Sequence, residues 1–114
     1  MCTQNQLEHI KAAVLARASE LFSAQLKQAV LYGSYARGTQ DDESDVDILL
    51  LVDMPAEALR EYRSAVSRLS SRFSLRHDVT VSLQLQDFET FEQYKDALPF
   101  YRNVMQEGVV LLAG

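Results

Sequence analysis

The chain has 114 residues, a net charge of −5 and a pI near 4.9, with 47% hydrophobic and 24% charged residues. That length fits one domain, and that composition excludes a disordered, collagen-like or coiled-coil chain. The acidic balance argues against a general nucleic-acid binder, which needs a basic patch to displace counterions. It leaves room for a small phosphate ligand whose charge a bound metal neutralises. The one cysteine, Cys2, excludes an internal disulfide and a four-cysteine zinc site, and reads as a surface thiol on a frayed terminus. The opening residues MCTQNQLEHI carry no basic-then-apolar leader, and no apolar run approaches the ~18 residues of a membrane span. A cytoplasmic, reducing location without membrane contact is expected.

Leu7, Ile10, Val14, Ala18, Leu21 and Phe22 recur at spacings of three and four, which predicts an amphipathic helix over roughly residues 5–26. Residues 29–32 form a short apolar run stopped by Gly33, the pattern of a buried strand. Residues 33–44 have no apolar period and read as a loop with one helical turn. Asp45–Val52 predicts a second strand, buried on both faces at its far end. Pro55 opens a helix whose stripe is Leu59, Tyr62, Val66, Leu69 and Phe73. Asp78–Leu85 alternates strictly, with Val79, Val81, Leu83 and Leu85 on a dry face and Asp78, Thr80, Ser82 and Gln84 on a wet one. A helical stripe from Phe88 is broken by Pro99, Gly108 caps the second piece, and residues 109–112 close the chain as a strand or extended tail. The aromatics Phe91, Tyr94, Phe100 and Tyr101 read as core or as a docking patch. The expected architecture is a small α/β (α+β) layer protein, with helices packed on a single mixed sheet.

Three features converge at strand ends. Asp45 and Asp47 stand at i and i+2 of a strand, so both point to one face, ~6.5–7 Å apart. Carboxylates so placed can share divalent cations ~3.5–4 Å apart in two-metal phosphoryl-transfer sites. Gly33 lets the backbone approach a ligand closely. The Ser34 hydroxyl and neighbouring amides can donate to phosphate oxygens. Either motif alone is weak; the joint spacing, Gly33-Ser34, ten residues, then Asp45-Val46-Asp47, carries the information. Arg37 in the same loop suits phosphate oxygens, with a surface ion pair to Asp41, Asp42 or Glu43 as the alternative. His77 is expected to pack or to lie at the surface, and the loop acids to form a solvated run.

The segment LYGSYARGTQDDESDVDILLLVD resembles the signature of the DNA polymerase beta-type nucleotidyltransferase superfamily, and the short length and the ending ALPFYRNVMQEGVVLL resemble its minimal nucleotidyltransferase (MNT) branch. The resemblance covers about residues 28–112. It implies a single nucleotidyltransferase domain over 1–114, with the motif region at 28–85 and a C-terminal helical and strand segment at 86–114. It implies that Asp45 and Asp47 bind two magnesium ions, or manganese in their place, with Asp78 as third carboxylate on the catalytic metal. Gly33, Ser34 and Arg37 would hold the triphosphate of ATP. It further implies transfer of AMP to a tyrosine hydroxyl of a helical HEPN-type toxin, with this chain as the antitoxin. The rivals are a non-catalytic neutralising subunit and a small-molecule nucleotidyltransferase; the lack of residues for a substrate domain weighs against the latter.

Overall fold

The computed structural model describes residues 3–113; Cys2 lies outside the described residues. Helix α1 spans Gln4–Phe22 and starts at a reciprocal cap: the Thr3 hydroxyl accepts from the Gln6 amide at 3.1 Å, and Gln6 Oε1 accepts from the Thr3 amide at 2.8 Å. The helix buries Leu7, Ile10, Val14, Ala18 and Phe22. It ends earlier than its period predicts, in a 3-10 turn over Ser23–Gln25, because Leu26 is claimed by the sheet, where it pairs with Val52.

Strand β1 is Leu26–Tyr32, a helical turn α2 is Ser34–Arg37, and β2 is Val46–Val52. A short helix α3, Ala56–Leu59, runs through a 3-10 turn into α4, Arg63–His77, which leads to β3, Val81–Asp87. Helices α5, Phe88–Tyr94, and α6, Pro99–Glu107, precede β4, Val109–Ala113. Pro99 sits in the first turn of α6, as a residue without an N–H should. Among the described residues no helix is long and apolar enough to cross a membrane.

The strand order is β3-β2-β1-β4; β1 is antiparallel to β2 and β4, and β2 is parallel to β3. The α3–α4 segment is the crossover a parallel pair requires. One face of the sheet, including Ala29, Leu31, Ile48 and Leu50, packs on α1 and α4. The other, with Val30, Leu49 and Leu51, packs on Phe91 of α5 and Val104 of α6. Burial of β2 on both faces accounts for its unbroken apolar run.

The third strand corrects the sequence reading. Asp78 does not open it: α4 continues to His77, and Asp78 caps that helix with left-handed dihedrals, φ 53° and ψ 41°. Short acidic side chains tolerate that region, and it redirects the chain before β3 starts at Val81. The alternation of residues 78–80 continued the strand pattern by coincidence of composition. Two serines of α4 then secure the strand: Ser74 Oγ accepts from the Val81 amide at 2.8 Å and Ser70 Oγ from the Leu83 amide at 3.1 Å. These bonds occupy backbone donors that an edge strand would otherwise leave open. His77 is half-buried and stacks on Phe73, in line with a packing role.

Gly108 follows α6 and donates its amide to the Val104 carbonyl at 2.9 Å. Its φ of −70° is ordinary; what demands glycine is space, since a β-carbon there would collide with the Val104 carbonyl and with Val30.

Candidate active site

The register of the sheet builds the site. Tyr32, the last residue of β1, pairs with Asp47 of β2, and Asp47 in turn pairs with Ser82 of β3. Alternation along β2 puts Asp47 on the same face as Leu49 and Leu51, the face covered by α5 and α6. Asp45, just before the strand, is exposed, lines a hollow with Ser70, Thr80 and Ser82, and lies near enough for its charge to act on Asp47.

Gly33 follows Tyr32 with φ 77° and ψ −157°, a region that only glycine enters readily. A β-carbon built there would stand 2.6 Å from Asp47 Oδ2. Glycine is thus required twice over, by its dihedrals and by the carboxylate above it. The Gly33 carbonyl accepts from the Ala36 and Arg37 amides, both at 3.1 Å, which winds Ser34–Arg37 into one helical turn. The Ser34 hydroxyl makes no hydrogen bond among the described residues, and stands at the start of that turn.

Burial raises the Asp47 carboxyl above its ordinary value, the charge of Asp45 raises it further, and Arg37 opposes both. The Tyr32 hydroxyl is pushed up to about 12, first by burial and then by Asp47. Two neighbouring carboxylates that repel each other fit a hard divalent cation such as magnesium or manganese; the repulsion of Asp47 by Asp45 is what such an ion would relieve. Among the described residues, no group of three or more His, Cys, Asp or Glu side chains is placed to hold a metal. The three-carboxylate centre of Asp45, Asp47 and Asp78 is therefore not assembled. Asp78 lines a separate surface hollow with Asp42, Glu43 and Ser44, while the strand positions beside the aspartate pair are Thr80 and Ser82.

Arg37 does not pair with the neighbouring loop acids. Its Nη1 lies 3.2 Å from Glu107 Oε2 at the end of α6. Asp41 instead shapes its own loop: its Oδ1 accepts from the Glu43 amide at 2.9 Å and from the Ser44 hydroxyl at 3.2 Å. That turn delivers the chain to Asp45, so one residue of the supposed solvated run has a structural task.

Sequence reasoning missed the contribution of α6. Tyr32, Gly33, Arg37, Phe100, Asn103 and Glu107 surround a hollow of about 220 Å³, and the Tyr32 and Phe100 rings meet edge to face at 5.4 Å. Only the placement of Tyr32 directly before Gly33 could have flagged any of this. The aromatic set divides: Phe91 is core, whereas Tyr94 and Phe100 are 41% and 46% exposed.

Comparisons with known proteins bear on the same residues. A relative from Methanocaldococcus jannaschii, "Putative protein adenylyltransferase MJ0141", is 43% identical over 65 residues, which is 56% of this chain and 63% of that protein; the match thus spans less than two thirds of its length. MJ0604, of the same name and organism, is 33% identical over 107 residues, 94% of this chain and 98% of the relative. Among solved structures, a toxin–antitoxin with AMP-PNP aligns with TM-score 0.54 at 21% identity, over 99% of this chain and 75% of the other. A tri-AMPylated Shewanella oneidensis HEPN toxin in complex with MNT antitoxin contains a chain that aligns with TM-score 0.50 at 17% identity, over 94% and 72% of the two chains. At these identities the structures establish a common fold. The family described as Nucleotidyltransferase domain matches residues 12–111, which takes in β1, β2, β3 and the whole Gly33–Asp47 corner, and the chain belongs to that family.

Proposed function

We propose that this protein transfers AMP from ATP to a hydroxyl of a partner protein, a HEPN-type toxin, and thereby acts as its antitoxin. The observation that carries the reading is the Gly33-Ser34 turn lying directly under the Asp47 carboxylate, with the charge of Asp45 acting on that carboxylate. Gly33 and Ser34 would hold the triphosphate, the first by leaving space and the second by hydroxyl and amide donation. Asp45 and Asp47 would hold magnesium, which, when bound, neutralises charge on the triphosphate and on the leaving pyrophosphate. Arg37 would move from Glu107 to a phosphate. The acceptor oxygen bonds to the α-phosphorus, the bond to the β-phosphate oxygen breaks, pyrophosphate leaves and the hydroxyl proton is released. Such chemistry depends on positioning and charge stabilisation more than on covalent help from the protein.

The acceptor class rests on likeness: two relatives bear the name of protein adenylyltransferases, and one structural neighbour sits in a complex with an AMPylated HEPN toxin. The reading implies a cytoplasmic reaction. The test is mass spectrometry of the protein encoded beside this one after incubation with ATP and magnesium. An AMP adduct on a hydroxyl residue is expected. Neutralisation of the neighbour without any adduct would favour a binding-only subunit.

A further inference from the structure

On the opposite face of the sheet from Asp47, α1 and α4 leave a groove between them. Two adjacent hollows of about 280 and 300 Å³ share Arg17, Leu69 and Arg72 in their linings. The apolar lining of the groove is Ala13, Ala16, Leu69 and Phe73. Its rim is Arg17, Arg68, Arg72 and Arg76, half of the chain's eight arginines. Arg68, Arg72 and Arg76 follow at every fourth residue of α4, so they rise in a column with ~6 Å between neighbours. All four are exposed. Arg17 meets only Glu20 of its own helix, at 3.5 Å. Among the described residues, no carboxylate comes within 4.0 Å of Arg68, Arg72 or Arg76. Like charges four apart weaken a helix, so the column does not serve α4 itself, and it is concentrated on a chain whose net charge is −5.

We propose that this groove docks an acidic amphipathic helix of a partner protein. Glutamates or aspartates at four-residue spacing would meet the arginine column, whose planar forks match carboxylates. Aliphatic side chains between them would enter the floor, where the alanines let a third helix approach closely. Charge complementarity of this kind sets orientation and partner choice. A single free phosphate is too small, because the column spans ~12 Å. A nucleic-acid backbone has no use for an apolar floor. The proposal concerns the α1–α4 face and does not depend on the activity assigned to the Gly33–Asp47 corner.

The probe is a fluorescent synthetic helix with glutamate at every fourth position and leucine between, beside an isomer carrying lysine in place of glutamate. Anisotropy is measured with the full chain, with Arg72→Glu/Arg76→Glu, and with the neutral Arg72→Gln/Arg76→Gln. Circular dichroism checks that each variant folds. The wild type should bind the glutamate helix and not the lysine helix. Charge reversal should weaken glutamate-helix binding by at least ~10-fold and confer lysine-helix binding, with the neutral variant between. Equal affinity of wild type and both variants for the glutamate helix would overturn the proposal. So would tighter binding of a 20-nucleotide single-stranded RNA than of the peptide, which would make the groove a nucleic-acid site. A wild-type dimer that the reversal splits, without peptide binding, would make the occupant a second copy instead.

Discussion

Gly33 and Asp47 share one small volume: a β-carbon on Gly33 would stand 2.6 Å from Asp47 Oδ2, although Gly33 follows β1 and Asp47 lies on β2. The antiparallel register that pairs Tyr32 with Asp47 brings the turn beneath the carboxylate. The same contact makes the site testable by small substitutions.

Gly33→Ala is expected to lower stability by about 1–3 kcal/mol, the scale for a residue forced into φ 77°, ψ −157°, and to abolish binding of an ATP analogue. In a double-mutant cycle with Asp47→Ala, the steric part should be relieved and the dihedral part should remain. Urea denaturation and titration calorimetry measure the two. Full additivity would mean that the contact carries no energy.

Asp47 carries a raised carboxyl, so ionising it works against the folded state. The folded protein holds this proton more tightly than the unfolded chain, and Asp47 penalises stability above its raised pKa. Asp47→Asn should therefore melt higher than the wild type at neutral pH without metal. The difference should shrink as pH falls through the raised value. Magnesium with ATP analogue should raise the melting temperature of the wild type but not of the variant. A variant that still responds to magnesium would remove Asp47 from the metal site.

Asp78 is set apart from the aspartate pair, in a left-handed cap that asparagine also adopts. Asp78→Asn should keep AMP transfer within a few-fold of wild type, whereas Asp47→Asn should lose at least ~10²-fold, the lower range for a group acting in the transition state. Quantitative mass spectrometry of the acceptor gives both rates. An equal loss in both variants would restore Asp78 to the centre.

Arg37 and Glu107 form an exposed pair at 3.2 Å, worth ~0–1 kcal/mol at most. Their effect on nucleotide affinity should be larger and opposite in sign. Arg37→Gln should weaken ATP binding, while Glu107→Gln, which frees the guanidinium, should tighten it. Identical affinities in both variants would reduce the pair to a surface tie.

The corner of Gly33, Ser34, Asp45 and Asp47 was legible because it depends on local rules: a strand period of two, a glycine at a turn, and a fixed spacing between them. The same rules found α1, β2, α5 and α6, whose apolar periods are long or cleanly broken. They failed at Asp78, where a helix cap and a strand start look alike over three residues. They were silent on Glu107, which is 70 residues from the arginine it meets.

By itself, then, the order of residues determined which segments are helix and strand and which side chains could do phosphate chemistry, because those properties follow from neighbours in the chain. Tertiary structure alone decided the company they keep. Strand register placed Ser82 rather than Asp78 beside Asp47, α6 brought Glu107 and Phe100 to the turn, and the packing of α1 and α4 on one face gathered four arginines into a groove. Each of these is a contact between segments far apart in the chain, set by how buried faces fit together, a choice that no local period encodes.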